Sequence, residues 1–365
     1  MSQGTVGFFS YHLSHCTVAE DFDVDVLVVG AGPGGGNAAL QCARKGLRTV
    51  LIEDHGEIGT PVHCGECISD EAVANLRLNL PPEVISKRVK GIRVIFPDGT
   101  SKQLTETGYV LEKHLFEQWI AQSAVNEGAK LSLKNRLSSM ERIEKDGKFL
   151  GWKCDGKGDI FPLTARIVID ASGVSAVCSK FVKLGNNKPL NEKGKVVAGM
   201  QYELADVPTD GYLDFYIWPK YAEKGYVWMI PKCDGRANVG LVTEDRPRAK
   251  KALDEFIADT HFNDLTRQLP QWKQKGSPTF GGTIPISGPF ENTHHDGLML
   301  IGDAAGFTSP LFEGGSHLAL KSAVFAAETA KIAIDKNDMS KEIMARYTSL
   351  WNCLLYTSDA ADEED

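Results

Sequence analysis

Residues 25–29 run from Asp25 into Val-Leu-Val-Val, an apolar, β-branched stretch that predicts a buried strand. Residues 37–45 then have a helical composition (Ala38, Ala39, Leu40, Cys42, Ala43), and Gly46 is placed to end that helix. A second strand, 47–52, closes on Glu53. Residues 70–78 read as helix, and 91–104 as two strands about the turn Pro97-Asp98-Gly99. The stretch 112–127 is an amphipathic helix with Leu115, Trp119 and Ile120 on one face and Gly128 as its cap. From 131 to 169 the chain alternates and carries Asp146-Gly147 and Asp155-Gly156, hairpin signals that predict a small antiparallel meander.

The middle third changes character. Residues 196–204, 213–218, 225–231 and 237–242 predict an antiparallel sheet; 246–260 is a charged helix, and 281–286 a turn-rich return. Aromatics crowd this region: Tyr202, Tyr212, Phe215, Tyr216, Trp218, Tyr221, Tyr226 and Trp228. Core packing explains most of them, with about half allowed as the share that lines a cavity. An apolar strand at 297–301 ends on Gly302-Asp303, and 316–334 is a long Ala-rich helix. Residues 347–351 extend a helical pattern that stops at Asn352; 353–365 look foreign, resemble translated adapter sequence, and read as a non-native tail.

The chain has 365 residues, 42% of them hydrophobic and 24% charged, enough for two or three units with real cores. A net charge of −8 argues against a nucleic-acid partner. No apolar run reaches the roughly 18 residues a membrane span needs. Residues 1–23 lack the basic start and apolar core of a secretory signal and read as a poorly ordered extension. The eight cysteines are therefore expected to be reduced thiols of a cytoplasmic protein.

Chemistry enters with Gly30-Ala31-Gly32-Pro33-Gly34-Gly35, a G-x-G-x-x-G turn between the first strand and helix. Gly30 permits the tight turn, Gly32 lets backbone approach a pyrophosphate, and Gly35 lets helix and strand pack closely. The helix start offers free N–H groups to phosphate. Glu53, 18 residues past Gly35, is placed to accept from ribose hydroxyls. The order strand, turn, helix, strand, acid defines a dinucleotide site, for NAD(P) or FAD. The loop beyond Glu53 carries Cys64-x-x-Cys67, with three readings: a redox dithiol, half a zinc site, or a substrate- or flavin-facing loop in which one cysteine matters. Lys113 reads as a solvated surface lysine, with a phosphate or ribose contact as the alternative. The strand ending in Asp170-Ala171-Ser172-Gly173 resembles another backbone approach to a cofactor. Asp303, held at a strand end and facing a glycine-opened helix start, suits a ribityl hydroxyl and the pyrimidine end of a flavin. That second site selects FAD.

Together these motifs resemble FAD enzymes of the hydroxybenzoate-hydroxylase and glutathione-reductase fold. Two stretches, Pro61-Val62-His63-Cys64-Gly65-Glu66 and Tyr226-Val227-Trp228-Met229-Ile230-Pro231-Lys232, further resemble the geranylgeranyl reductase family, nearest its archaeal digeranylgeranylglycerophospholipid reductases. The resemblance covers about 24–351. It implies an α/β protein: an FAD-binding Rossmann-like parallel sheet with a small antiparallel meander, formed by 24–185 and 292–336, and an α+β substrate domain on an antiparallel sheet, 186–291. Residues 337–352 would begin a truncated C-terminal helical region. Carried over by position, it implies FAD contacts at Gly34, Glu53, Cys64, Gly65, Asp303, Gly315 and Ser316, and places Tyr226 and Trp228 on the wall of a lipid channel. Three positions depart from the family: Cys67 stands for Gly, Lys113 for Arg and Ile230 for Phe. Lys113 keeps the charge but loses the bidentate fork.

The chemistry implied is addition of hydride and a proton across isolated C=C bonds of a prenyl lipid, as in saturation of archaeal membrane lipids, with Cys64 nearest the reacting bond. Burying a twenty-carbon chain at roughly 0.8 kcal/mol per methylene-sized unit is worth on the order of 10 kcal/mol. The aromatic sheet is the part able to supply such a groove. NAD(P)H, ferredoxin or quinol would supply electrons, and the substrate implies peripheral association with the inner face of the membrane. Two rivals share the motifs: a flavin monooxygenase or halogenase, since Trp228-Met229-Ile230-Pro231 resembles part of a halogenase signature, and a flavin-free prenyl carrier. The intact glycine turn and Gly302-Asp303 argue against the carrier.

Overall fold

The computed structural model describes residues 22–62, 64–182, 184, 196–260, 262, 280–286, 288–309 and 314–362; for 280 and 354–362 only the backbone. β1 (Val24–Val29) and β2 (Thr49–Glu53) are almost wholly buried and flank α1 (Pro33–Arg44) in sequence. Strands buried on both faces are those of a parallel sheet covered by helices. β1 pairs in parallel with β2 and with β11 (Leu163–Asp170), and β2 with β8 (Lys130–Leu133). β18 (Leu298–Leu300) adds in parallel beyond β11, with β17 (His294–His295) at the edge. β9 (Arg136–Lys145) and β10 (Lys148–Lys157) turn back antiparallel onto β11, giving the expected meander; Asp146-Gly147 makes its β9–β10 turn, whereas Asp155-Gly156 is no turn but an irregularity inside β10, paired with β9. α3 (Lys113–Asn126) and α5 (Ser316–Lys336) pack on α1. α2 (Asp70–Asn75) is shorter than its pattern suggested.

A second sheet has seven strands, in the order β16-β12-β15-β14-β13-β5-β6, where β16 is Phe280–Pro285, β5 Ile92–Ile95 and β6 Ser101–Leu104. Its centre is β12 (Val196–Leu204), β13 (Leu213–Tyr216), β14 (Tyr226–Pro231) and β15 (Ala237–Thr243). Alternation divides β14 between two faces: Val227 and Met229 pack with α4 (Ala249–Asp259), whereas Tyr226, Trp228 and Ile230 lie in a separate apolar cluster. A three-stranded sheet of β3 (Cys67–Ser69), β7 (Gly108–Leu111) and β4 (Ile85–Val89) links the two larger ones.

Five expectations change. Residues 92–104, grouped with the dinucleotide unit by their place in the chain, form β5 (Ile92–Ile95) and β6 (Ser101–Leu104) and extend the second sheet, because β5 pairs in parallel with β13. Residues 281–286 are not a turn-rich return: β16 (Phe280–Pro285) is an edge strand on β12, where Gly281 lies close to Met200. On α3 the buried apolar positions are Phe116, Ile120, Ala121 and Ala124, with Leu115 and Trp119 only half-buried. Of residues 1–23, only 22 and 23 are among those described, and both are docked: Phe22 is buried, and Asp23 accepts from the Thr164 hydroxyl at 2.7 Å. The helix beginning before Tyr347 does not stop at Asn352. α6 runs Lys341–Asp362, and its first half belongs to the dinucleotide unit: the Tyr347 hydroxyl donates to the Leu300 carbonyl at 2.7 Å, and Trp351 Nε1 to Thr293 Oγ1 at 3.1 Å.

Candidate active site

The glycine turn is built as a phosphate cradle. Gly30 has φ +96°, and a Cβ there would stand 2.6 Å from the Ala171 carbonyl oxygen. A Cβ on Gly35 would stand 1.8 Å from the Gly30 carbonyl oxygen. These two positions are closed by the protein's own backbone. Gly32, at the head of α1, is different: a Cβ there meets nothing within 4 Å, so the protein itself does not require glycine. Open space over a helix N-terminus, where the first N–H groups lack intrahelical partners, fits a pyrophosphate. A Cβ on Gly34 would meet Ala319 and Ile301 at 3.4 Å, which makes it a contact between α1 and α5 as well as part of the turn. Gly36 was not singled out from sequence, yet its Cβ would lie 2.6 Å from Ile120 of α3.

Glu53 Oε2 accepts from the Ala31 N–H at 2.8 Å, and Oε1 faces His55 Nδ1 at 2.6 Å. The acid thus braces the turn and raises the His55 imidazole pKa through their hydrogen bond, while its oxygens keep acceptor capacity toward a ribose. Asp170 is fully buried, and its carboxylate is taken up by the N–H groups of Ser172 and Cys178 and the Ser172 hydroxyl. It shapes its own turn, and only backbone from that turn reaches Gly30.

Asp303 has no hydrogen-bond donor among the described residues. Its Oδ1 would lie 3.1 Å from a Cβ on Gly315, so the carboxylate rests against the bare backbone that opens α5 ahead of Ser316. Burial pushes its pKa up to about 6, with Lys113 pulling the other way. A desolvated acid lacking donors, beside a helix start, is the site a ribityl hydroxyl would complete. The residues present therefore fit FAD. The adenine-ribose end would lie on Gly30 to Gly35 and Glu53, and the ribityl and ring end on Asp303, Gly315 and Ser316.

Lys113 is not a solvated lysine. It is 8% exposed, and its Nζ donates to Glu117 Oε1 at 2.5 Å. Burial works to lower its pKa, but Glu117, with the fields of Cys64 and Glu66, raises it above the usual lysine range. The i,i+4 spacing puts Glu117 on the same face of α3 as Lys113, but periodicity alone could not show that the pair is buried.

Lys113, Glu117 and Cys64 share a cavity of about 130 Å³ with Gly59, Pro61 and Val62. The Cys64 carbonyl accepts from Gln201 Nε2 at 2.9 Å, and Gln201 Oε1 accepts from Trp228 Nε1 at 3.3 Å. Gly65 lies against Ile230, whose Cδ1 would be 3.0 Å from a Cβ there. The cofactor-side loop therefore sits on the Tyr226-Trp228-Ile230 face of the second sheet. Cys64 and Cys67 are both free thiols. Burial, then Cys64 and Glu66, raise the Cys67 pKa well above the thiol range, and Cys67 Sγ faces the Gly65 carbonyl oxygen at 3.6 Å. A thiol held protonated is a poor partner in a dithiol or a zinc site. Among the described residues, the group able to hold a metal is Glu53, Asp54 and His55, away from these cysteines; His63 lies outside the described residues.

A second cavity, about 250 Å³, adjoins through Val62 and is lined by Glu66, Glu112, Glu203, Lys232 and Arg236 among others. Sequence reading did not pick out this charge cluster, whose members come from four separate segments, Lys232 and Arg236 sharing the turn between β14 and β15. None of the eight aromatics lines either cavity. Tyr202, Tyr216, Trp218 and Tyr221 pack about α4; Phe215, Tyr226 and Trp228 lie on the face that meets the Cys64 loop.

Fold and site thus define a two-sheet flavoprotein, and the comparisons agree. Residues 25–225 match the FAD dependent oxidoreductase family and 196–270 the geranylgeranyl reductase catalytic domain. The digeranylgeranylglycerophospholipid reductase of Methanocaldococcus jannaschii is 35% identical over 334 residues, 90% of this chain and 82% of that protein. That of Thermoplasma acidophilum is 34% identical over 339 residues, 89% and 82% of the two chains. A geranylgeranyl bacteriochlorophyll reductase-like structure, also from Thermoplasma acidophilum, superposes with a TM-score of 0.76 at 32% identity, covering 90% of this chain and 82% of the other. The flavin-dependent brominase Bmp2 shares the fold, with a TM-score of 0.68 at 19% identity over 90% and 83% of the chains. This chain belongs to the FAD-dependent oxidoreductases and, within them, to the digeranylgeranylglycerophospholipid reductase family.

Proposed function

We propose that this protein reduces isolated C=C bonds in the geranylgeranyl chains of an isoprenoid lipid, with FAD as its cofactor. The observation that carries this is the seam at Cys64. A loop leaving the dinucleotide sheet is hydrogen-bonded through Gln201 to Trp228, on the apolar face of the sheet matched by the geranylgeranyl reductase catalytic domain. Reduction adds hydride to one alkene carbon and a proton to the other; bound FAD in its reduced form supplies the hydride and its electron pair. The chain holds the prenyl group against Tyr226 and Trp228, excludes water with the surrounding apolar cluster, and brings the Cys64 thiol to the bond as proton source or positioning group. Electrons return from NAD(P)H, ferredoxin or quinol, which flavin reduction by each donor in turn distinguishes. No described helix is long and apolar enough to cross a membrane; we place the protein in the cytoplasm, meeting its lipid peripherally at the inner face.

The decisive experiment is anaerobic. Flavin is reduced in the holoprotein, a geranylgeranyl lipid is added, and flavin reoxidation is followed with product mass; stoichiometric gain of two hydrogens per flavin is expected. The fold shared with a brominase favours one other reading, an oxygen-using flavoenzyme. No reoxidation by lipid together with rapid oxygen-dependent turnover would establish that reading instead. Cys64→Ser is expected to lower the rate of lipid reduction at least about tenfold, in the range of a lost general acid; an unchanged rate removes Cys64 from the chemistry.

A further inference from the structure

Glu66, two positions after Cys64, has φ +72°, a left-handed conformation that a side chain other than glycine keeps only where its surroundings hold it there. The surroundings do so. Its carboxylate is 2% exposed and takes three donors. Oε1 accepts from the Lys113 backbone N–H at 2.9 Å, at the start of α3. Oε2 accepts from Lys232 Nζ at 2.7 Å and from Asn238 Nδ2 at 2.6 Å, just past β14 and within β15. The Glu66 carbonyl accepts from the Leu111 N–H at 2.8 Å, and its own N–H donates to Cys64 Sγ at 3.3 Å. One residue therefore ties the turn that carries Cys64 to the first turn of α3 and to two strands of the substrate sheet.

Charge balance is not the reason for this arrangement. Lys232, also 2% exposed, lies 3.1 Å from Glu112 and 3.5 Å from Glu203 as well, and Arg236 bridges the same two acids at 2.7 Å. Three carboxylates serve two cations, so the cluster keeps its compensation when Glu66 is neutral. What Glu66 alone provides is reach: a carboxylate set at the bend of the loop and able to meet donors from both sides of the seam.

We propose that Glu66 is a positioning residue for alkene reduction, holding the 64–65 turn at a fixed distance from the Trp228 face. The proposal rests on the reading of the seam given above, and its test separates the two. In the full-length holoprotein, Glu66→Gln is expected to keep its flavin and its Tm within a few degrees, because Lys232 retains Glu112 and Glu203. Its kcat is expected to fall about tenfold or more with KM changed less than about threefold, the pattern of lost placement. Alkylation of Cys64 by iodoacetamide, mapped by peptide mass, is expected to speed up about fivefold or more as the turn loosens. Glu66→Asp, shorter by one methylene, is expected to fall between Gln and wild type. Unchanged kcat with unchanged Cys64 alkylation overturns the proposal. So does a loss of kcat that follows flavin or Tm and returns with them in Glu66→Gln/Lys232→Met, which would make Glu66 a charge partner only. If Glu66→Gln does not fold, Asn238→Ala removes one of the three donors and leaves the charges, and the same two readouts decide. A Cys64→Ser protein at full rate, with kcat still lost in Glu66→Gln, sinks the role of the thiol and leaves the turn as the positioned element. The opposite pair of results sinks Glu66.

Discussion

Asp303 is a desolvated acid beside a helix start, with no hydrogen-bond donor among the described residues. Its pKa of about 6 lies above the unfolded value of 3.8, so the flavin-free folded chain binds more protons than the unfolded chain between those values. Its contribution therefore favours the folded state below about pH 4 and is lost as pH rises through about 6, a cost of at most about 3 kcal/mol at neutral pH. Asp303→Asn is expected to abolish that slope and to stabilise the flavin-free protein at pH 7, measured by urea denaturation across the window, while weakening FAD binding at least about tenfold. A variant that loses stability and keeps its FAD affinity would show that the carboxylate serves the fold. The acid itself was legible, because Gly302-Asp303 ends an apolar strand before a glycine-opened helix. Lys113 and Glu66 were only partly so: the sequence marked Lys113 as a lysine where the family has Arg and set Glu66 in a family-like stretch, but the burial of both, and the Lys232 and Asn238 donors that meet Glu66 from far along the chain, have no local signal.

Among the elements, the opening β1-α1-β2 unit was the most legible, since its strand runs, helix composition and glycine spacing all point the same way. The structure divides its glycines. Gly35→Ala is expected to prevent folding or to cost several kcal/mol, because backbone occupies the space a Cβ needs. Gly32→Ala is expected to leave the flavin-free Tm within about 2 °C and to lower FAD affinity sharply, because that Cβ meets nothing of the protein and enters the open space a pyrophosphate would take. Thermal melts with and without FAD check both; a large loss of flavin-free Tm in Gly32→Ala would contradict the assignment. The edge strand β16 escaped sequence reading because it is held by pairing with the remote β12, which overrides a weak local signal.

Across the whole molecule, the two large sheets are joined by segments that cross between them. Arg93, on β5, donates to Asp214 at 2.7 and 2.9 Å and to Asp210 at 2.8 Å, stitching an early hairpin to the substrate sheet. Asp214 is 3% exposed. Arg93→Ala removes a two-point ion pair from a buried carboxylate and is expected to destabilise the protein by about 3 kcal/mol, read by chemical denaturation, with FAD affinity little changed. Substantial flavin loss at unchanged stability would place Arg93 in the cofactor site instead.

Local pattern by itself determined the dinucleotide unit, the antiparallel meander, the middle sheet and the acid at Asp303, because glycine geometry and hydrophobic period act between near neighbours. Resemblance in two short stretches added the prenyl-reducing chemistry. Only the tertiary structure decided that 92–104 joins the second sheet, that Lys113 is buried, that half of the aromatic set packs on α4, and that Glu66, Lys232 and Asn238 meet beneath Cys64. Those outcomes depend on contacts between residues up to some 170 positions apart, and desolvation and charge pairing at such contacts have no period along a chain.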